Sequence, residues 1–177
     1  MSIAIIPVGQ TMAAEVCGVN LADPMGKTDR AILLDAWHQN LILIFRDQSM
    51  TDRQLKSSAA WLGDTSKISM PMARRGDNDT QIQKVSNIVD ENGNPIGALG
   101  DGEMWFHHDN SFTEAPDKAT WLYAVELPYT GGNTLFGNCY DAYEALPDKL
   151  KKIISGRKVL QVYDYTIRTK PRREGLD

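Results

Sequence analysis

Apolar and polar positions alternate along the first third of the chain in a way that predicts its elements. Ile3 to Val8 and Ala13 to Val16 read as two short opening strands, punctuated by Gly9 and Gly18. Thr28 is placed to cap a helix running through Asp35 and Trp37, because Ile32, Leu33, Ala36 and Trp37 recur on one side at helical spacing. Leu41-Ile42-Leu43-Ile44-Phe45 is an unbroken apolar run of strand length, the pattern of a central strand covered on both faces. Thr51 then caps a second helix, with Leu55, Ser58, Ala59 and Leu62 as its inward stripe and Gly63 as its end.

The pattern changes at Asp64. From there to Gly102 the chain is poor in apolar residues and rich in turn formers, and only Gln81 to Val89 reads as a strand. Asn92-Gly93 is a tight-turn signal between Ile88 and Ile96. Long irregular stretches within a domain are commonly lids or binding loops, so residues 64–104 are expected to form an active-site loop region. Regular patterning resumes with Ala119 to Leu127, an apolar run containing Trp121 and Tyr123. A turn at Tyr129 to Asn133 leads into a strand beginning Thr134-Leu135-Phe136, and the two adjacent glycines of that turn permit positive φ. Asn138 caps a helix through Asp141, Tyr143 and Leu146, Pro147 opens another that Gly156 closes, and Val159 to Val162 reads as a last strand.

Composition narrows the class. A length of 177 residues is that of a single domain spanning 1–177, and 42% hydrophobic with 24% charged residues is ordinary for a soluble globular protein. A net charge of −4 offers nothing to attract nucleic acid or a membrane surface, and neither partner is expected. Cys17 and Cys139 stand far apart with no CxxC pair, which points to free thiols in a reducing cytoplasm. The first residues carry neither the basic region nor the apolar run of a signal peptide, and no segment approaches the roughly 20 apolar residues of a membrane helix. A cytoplasmic protein is expected.

The chemistry concentrates in Trp105-Phe106-His107-His108-Asp109-Asn110-Ser111-Phe112, which holds two of the three histidines and a carboxylate directly after them. On an extended strand, His107 and Asp109 share one face and His108 points to the other. An imidazole and a carboxylate so placed are two of the three ligands of a 2-His-1-carboxylate triad, which leaves positions open on ferrous iron. The same spacing also describes a hydrogen-bonded His–Asp pair at a polar strand end. Spacing alone leaves both readings standing.

The wider stretch adds to this. His-x-Asp with Ser111-Phe112, Pro116, Glu126-Leu127-Pro128, Gly131-Gly132-Asn133-Thr134 and Ala142-Tyr143-Glu144-Ala145-Leu146 occur in order. Upstream stand Leu43-Ile44-Phe45-Arg46-Asp47-Gln48 and Val85-Ser86-Asn87-Ile88. Together they resemble the Fe(II)/2-oxoglutarate-dependent dioxygenases of the taurine dioxygenase and 2,4-dichlorophenoxyacetate dioxygenase family. The resemblance implies a mixed β fold with flanking helices, a double-stranded β-helix (a jelly-roll, cupin-like barrel) that is incomplete in this chain. It implies that His107 and Asp109 are the catalytic metal ligands and that the Thr134 hydroxyl contacts a carboxylate of 2-oxoglutarate. A threonine there is equally at home as an ordinary strand residue. The resemblance places Asn87, and Arg74 or Arg75, among substrate contacts, although the two arginines also suit a solvated loop. His108 belongs at a pocket rim or behind the ligands. The implied reaction uses Fe(II), O2 and 2-oxoglutarate to hydroxylate a small organic anion of sulfonate, aryloxy acid or sulfate ester type, giving succinate and CO2. A homo-oligomer is the implied assembly.

One departure is large. The family's distal histidine, the third iron ligand, and the arginine that pairs with 2-oxoglutarate follow well after the His-x-Asp strand, yet no histidine occurs from Asp109 to Asp177. The chain is therefore expected to be the N-terminal part of such an enzyme. His38, the remaining histidine, is accounted for by helix packing. Phe106 stands where the family commonly has tryptophan, with Trp105 one place earlier. A second function follows from the missing ligand: a catalytically inactive fragment or ligand-binding module.

Overall fold

The computed structural model describes residues 2–63, 65, 82–97 and 106–161. Its regular core is a three-stranded mixed sheet in which β1 (Ala4–Pro7) and β3 (Leu43–Ile44) flank β2 (Ala14–Cys17). β1 and β2 run antiparallel with Ile5 opposite Val16 and Pro7 opposite Ala14. Pro7 lacks an N–H to give a ladder, and β1 is accordingly at the sheet's edge. β3 runs parallel to β2, with Ala14 opposite Leu43, so the connection between them must cross over. Helix α1 (Lys27–Asn40) is that crossover, and it lies against β3.

Alternation puts Ala14 and Val16 of β2 inside, and Leu33 and Ala36 on α1 together with Leu21 are buried as well. The end of α1 is tied to the sheet by backbone. Leu41 turns the chain with φ 64° and donates to Trp37 O at 2.7 Å. Ala13 N then donates to Asn40 O and Ala14 N to Ile42 O. α1 begins two residues earlier than its threonine suggested: the N-cap is Gly26, without a side-chain bond. Glycine is tolerated at that position, and the backbone there already takes the extended cap conformation.

Helix α2 (Asp52–Ala59) starts where expected. The Thr51 side chain accepts from Gln54 N, and the Gln54 side chain accepts in return from Thr51 N at 2.9 Å, a reciprocal capping box. Ser58 is buried, Leu55, Ala59 and Leu62 are half-buried, and after a 3-10 turn (Ala60–Leu62) Gly63 ends the element at φ 141°. Asn92-Gly93 makes the expected turn: Val89 bridges Pro95, Ile96 N donates to Ile88 O at 3.0 Å, and Gly93 has φ 80°. Asn138 caps α3 (Cys139–Glu144) by accepting from Tyr140 N and Asp141 N, and its amide reaches back to Thr11 O. Pro147 precedes α4 (Asp148–Ile154), which ends before Gly156 at φ 71°.

The strand expectations fare less well. Leu41 to Phe45 is not a fully covered central strand. Among the described residues, ladder partners are found for Leu43 and Ile44 alone, on one side, and the run is half-buried. Ala119 to Leu127, Thr134 to Phe136 and residues 159–161 lie in no ladder among the described residues, while Gln81 and Val162 fall outside them. Apolar alternation marks a segment that suits a strand, but a strand exists only with a partner alongside. No closed barrel is present among the described residues. The relation of residues 64–104 to a site is visible only for 65 and 82–97, and Arg74, Arg75 and Trp105 also lie outside the described residues.

Leu33 is fully buried, so Leu33→Ala is expected to lower unfolding free energy by about 2–5 kcal/mol in chemical denaturation. Asp90 titrates below the ordinary aspartate range because Asn94 N and the Asn94 amide donate to its carboxylate, with Asn92 N adding a third bond. Its depressed value makes this contribution to the hairpin complete above about pH 3.9 and lost as pH falls through the folded value. A carboxyl NMR titration is expected to give Asp90 a midpoint below the ordinary aspartate value of about 3.9.

Candidate metal centre

His107 and Asp109 come together, although not on a strand. Residues Asp109 to Phe112 form a turn, with Asn110 in the left-handed region at φ 51°. Asparagine accepts that conformation more readily than most residues. Thr113 N closes the turn on Asn110 O at 3.0 Å, and the Asn110 amide donates to the Asp117 carboxylate. The turn brings His107 Nε2 to 3.1 Å from Asp109 Oδ1, with both side chains about half exposed (53% and 44%). His108 is exposed, and its Nδ1 lies 2.9 Å from the carbonyl oxygen of its neighbour Asp109. A carbonyl can only accept, so Nδ1 carries the proton.

The second oxygen of Asp109 is also engaged. Thr120 Oγ1 donates to Asp109 Oδ2 at 2.6 Å. Thr120 leads into a stretch in which Trp121 and Tyr123 are half-buried while Leu122 and Ala124 are exposed. Trp121 lies tilted against Phe45, ring centroids 6.0 Å apart, and meets Trp61 edge-on at 5.8 Å. The Tyr123 hydroxyl accepts from Met50 N at 3.1 Å and donates to Gln48 O at 3.3 Å. Gln48 in turn bonds Leu21 N and Val19 O. The His-x-Asp turn is thus linked through Thr120 to the junction of β3 and α2.

Two ligands at right angles on an octahedral ion, each bound at about 2.1 Å, lie roughly 3 Å apart. The 3.1 Å between His107 Nε2 and Asp109 Oδ1 therefore suits one edge of such a shell, and an imidazole with a carboxylate is a donor pair for ferrous iron. Among the described residues no third His, Cys, Asp or Glu gathers with them. His38 is exposed on the last turn of α1, its ring 5.3 Å from that of Trp37.

Thr134 and Asn87 are both exposed, and no hydrogen bond joins either to His107 or Asp109. Thr120 was not singled out by sequence reasoning. Its only signal is parity with its neighbours: if Trp121 and Tyr123 face inward, Thr120 faces the other way.

The sequence model of the taurine catabolism dioxygenase TauD, TfdA family matches residues 4–176. The chain belongs to the TauD/TfdA family. It is 36% identical over 155 residues to pentalenolactone F synthase of Streptomyces avermitilis, covering 86% of this chain and 50% of that protein. It is 29% identical to the (S)-phenoxypropionate/alpha-ketoglutarate-dioxygenase of Sphingobium herbicidovorans, over 83% of this chain and 49% of that one. In three dimensions it is similar to AAD-2, solved in complex with Mn(II) and N-oxalylglycine. The TM-score is 0.60 at 29% identity, over 87% of this chain and 50% of that one. The chain thus spans about half the length of the relatives it matches.

In this TauD/TfdA chain the Gly-Gly corner before Thr134 is under tight steric control. Gly131 and Gly132 have φ 75° and 68°, and a Cβ at Gly132 would come within 2.8 Å of Pro128 Cγ. Both the backbone region and the space thus call for glycine at position 132. Gly132→Ala is expected to cost roughly 1–2 kcal/mol from the left-handed backbone alone. Urea denaturation would register it as a lowered midpoint.

Proposed function

We propose that this chain carries the metal-holding part of an Fe(II)- and 2-oxoglutarate-dependent dioxygenase that hydroxylates a small organic anion. The observation that carries this reading is the 3.1 Å pairing of His107 Nε2 with Asp109 Oδ1 in a chain of this family. When bound, the metal supplies open positions at which cosubstrate and O2 react to oxidise a C–H bond, with succinate and CO2 as coproducts. His107 and Asp109 hold it. The Thr134 hydroxyl donates to a carboxylate of 2-oxoglutarate, and Asn87 and His108 border the substrate. A jelly-roll barrel with flanking helices encloses them.

Sulfonates, aryloxy acids and sulfate esters are the substrate classes of the reading. The names of relatives acting on (S)-phenoxypropionate and on sulfate esters support an anion of modest size. Cys17 and Cys139 are free thiols, which accords with a role in the cytoplasm. The reading includes a homo-oligomer and no nucleic-acid or membrane partner. No helix among the described residues is long and apolar enough to cross a membrane.

One observation favours a second reading, a ligand-binding module without turnover: among the described residues no third His, Cys, Asp or Glu gathers with His107 and Asp109. The two readings separate in one assay on the protein from its native producer. With Fe(II), ascorbate, 2-oxoglutarate and a panel of small anions, the dioxygenase is expected to release succinate. His107→Ala is expected to reduce that release to background. A wild-type protein that forms no succinate yet still binds 2-oxoglutarate would favour the module.

A further inference from the structure

We infer that Thr120 is a positioning residue for the metal site, holding Asp109 so that it offers one oxygen, Oδ1, to the ion. This rests on the reading of His107 and Asp109 as metal ligands and adds a group eleven residues away. A free carboxylate rotates about its Cβ–Cγ bond and can present either oxygen, or both. Here the rotation is arrested from two sides: Oδ2 accepts the Thr120 hydroxyl at 2.6 Å, while Oδ1 faces His107 Nε2 at 3.1 Å. A short O–H···O⁻ bond is among the stronger hydrogen bonds and is directional, so it sets the plane of the carboxylate. The hydroxyl must donate, because an ionised carboxylate only accepts.

Thr120 is suited to this task because its own backbone is anchored. Trp121, the next residue, is wedged between Phe45 and Trp61, and Tyr123 bonds the main chain at Gln48 and Met50. The Asp109 turn makes local bonds, from Thr113 to Asn110 and from Asn110 to Asp117. The Thr120 hydroxyl therefore joins a locally built turn to the core. Partners that orient a metal-binding carboxylate commonly affect metal affinity 10–100-fold, and the exposure of Thr120 points to the lower end of that range.

The test is Mn(II) binding without turnover, followed by the loss of the free-ion EPR signal on titration into the purified chain. Thr120→Val keeps the shape and removes the hydroxyl, and it is expected to weaken Mn(II) binding on the order of tenfold. Thr120→Ser keeps the hydroxyl and is expected to retain affinity within about twofold of wild type. Both should unfold at the wild-type temperature, which separates positioning from a general loss of structure. If Thr120→Val binds Mn(II) like wild type, the assignment of Thr120 is overturned and the metal reading stands. If affinity falls equally in the valine and serine variants, the hydroxyl is not the cause and the assignment is likewise overturned. If wild type takes up no Mn(II), the metal reading fails and Thr120 falls with it.

Discussion

The docking of Trp121 and Tyr123 onto the junction between β3 and α2 is the constraint on which the candidate site depends. The sheet and its crossover helix form a small core of Ala14, Val16, Leu21, Leu33 and Ala36 near the start of the chain. The residues with metal chemistry come some sixty positions later, in a turn that makes no ladder. What joins the two is a pair of aromatic side chains. Their rings supply apolar area and geometry against Phe45 and Trp61, and the tyrosine hydroxyl supplies direction. An aliphatic residue at 123 would keep part of the packing and lose the bonds to Gln48 and Met50.

Gln48 has a matching role on the other side of that junction. Its side chain accepts from Leu21 N and donates to Val19 O, while its backbone oxygen receives the Tyr123 hydroxyl. A single residue, four positions after β3, thus serves the loop after β2 and the segment that carries Thr120. Arg46, two positions earlier, reaches Glu15 of β2 at 2.9 Å; its own side chain is largely exposed, and such a pair contributes little beyond aligning the strands.

Between Leu122 and Leu160 several apolar side chains are open to solvent. Val125, Leu135, Val159 and Leu160 are all more than two-thirds exposed. These are residues that suit pleated, half-covered surfaces, and no strand lies beside them among the described residues. Exposed apolar strand-formers are what a sheet shows when its pairing partners are not alongside.

The elements readable from sequence alone are those whose hydrogen bonds close within a few residues. α2 was marked by Thr51, which exchanges backbone N–H bonds with Gln54 three positions on. The Asn92-Gly93 turn, the Asn138 cap and the positive φ of Gly131 and Gly132 are local in the same way. The pairing of His107 with Asp109 was also legible, because two residues of spacing bring the side chains together whether the backbone is a strand or, as here, a turn. Tertiary structure alone decided the rest. The shortness of β3, the absence of ladders at 119–127 and 134–136 among the described residues, and the grip of Thr120 on Asp109 depend on groups distant in sequence. A strand needs a neighbour and a carboxylate's second oxygen needs a donor, and neither partner is specified by the residues next to it.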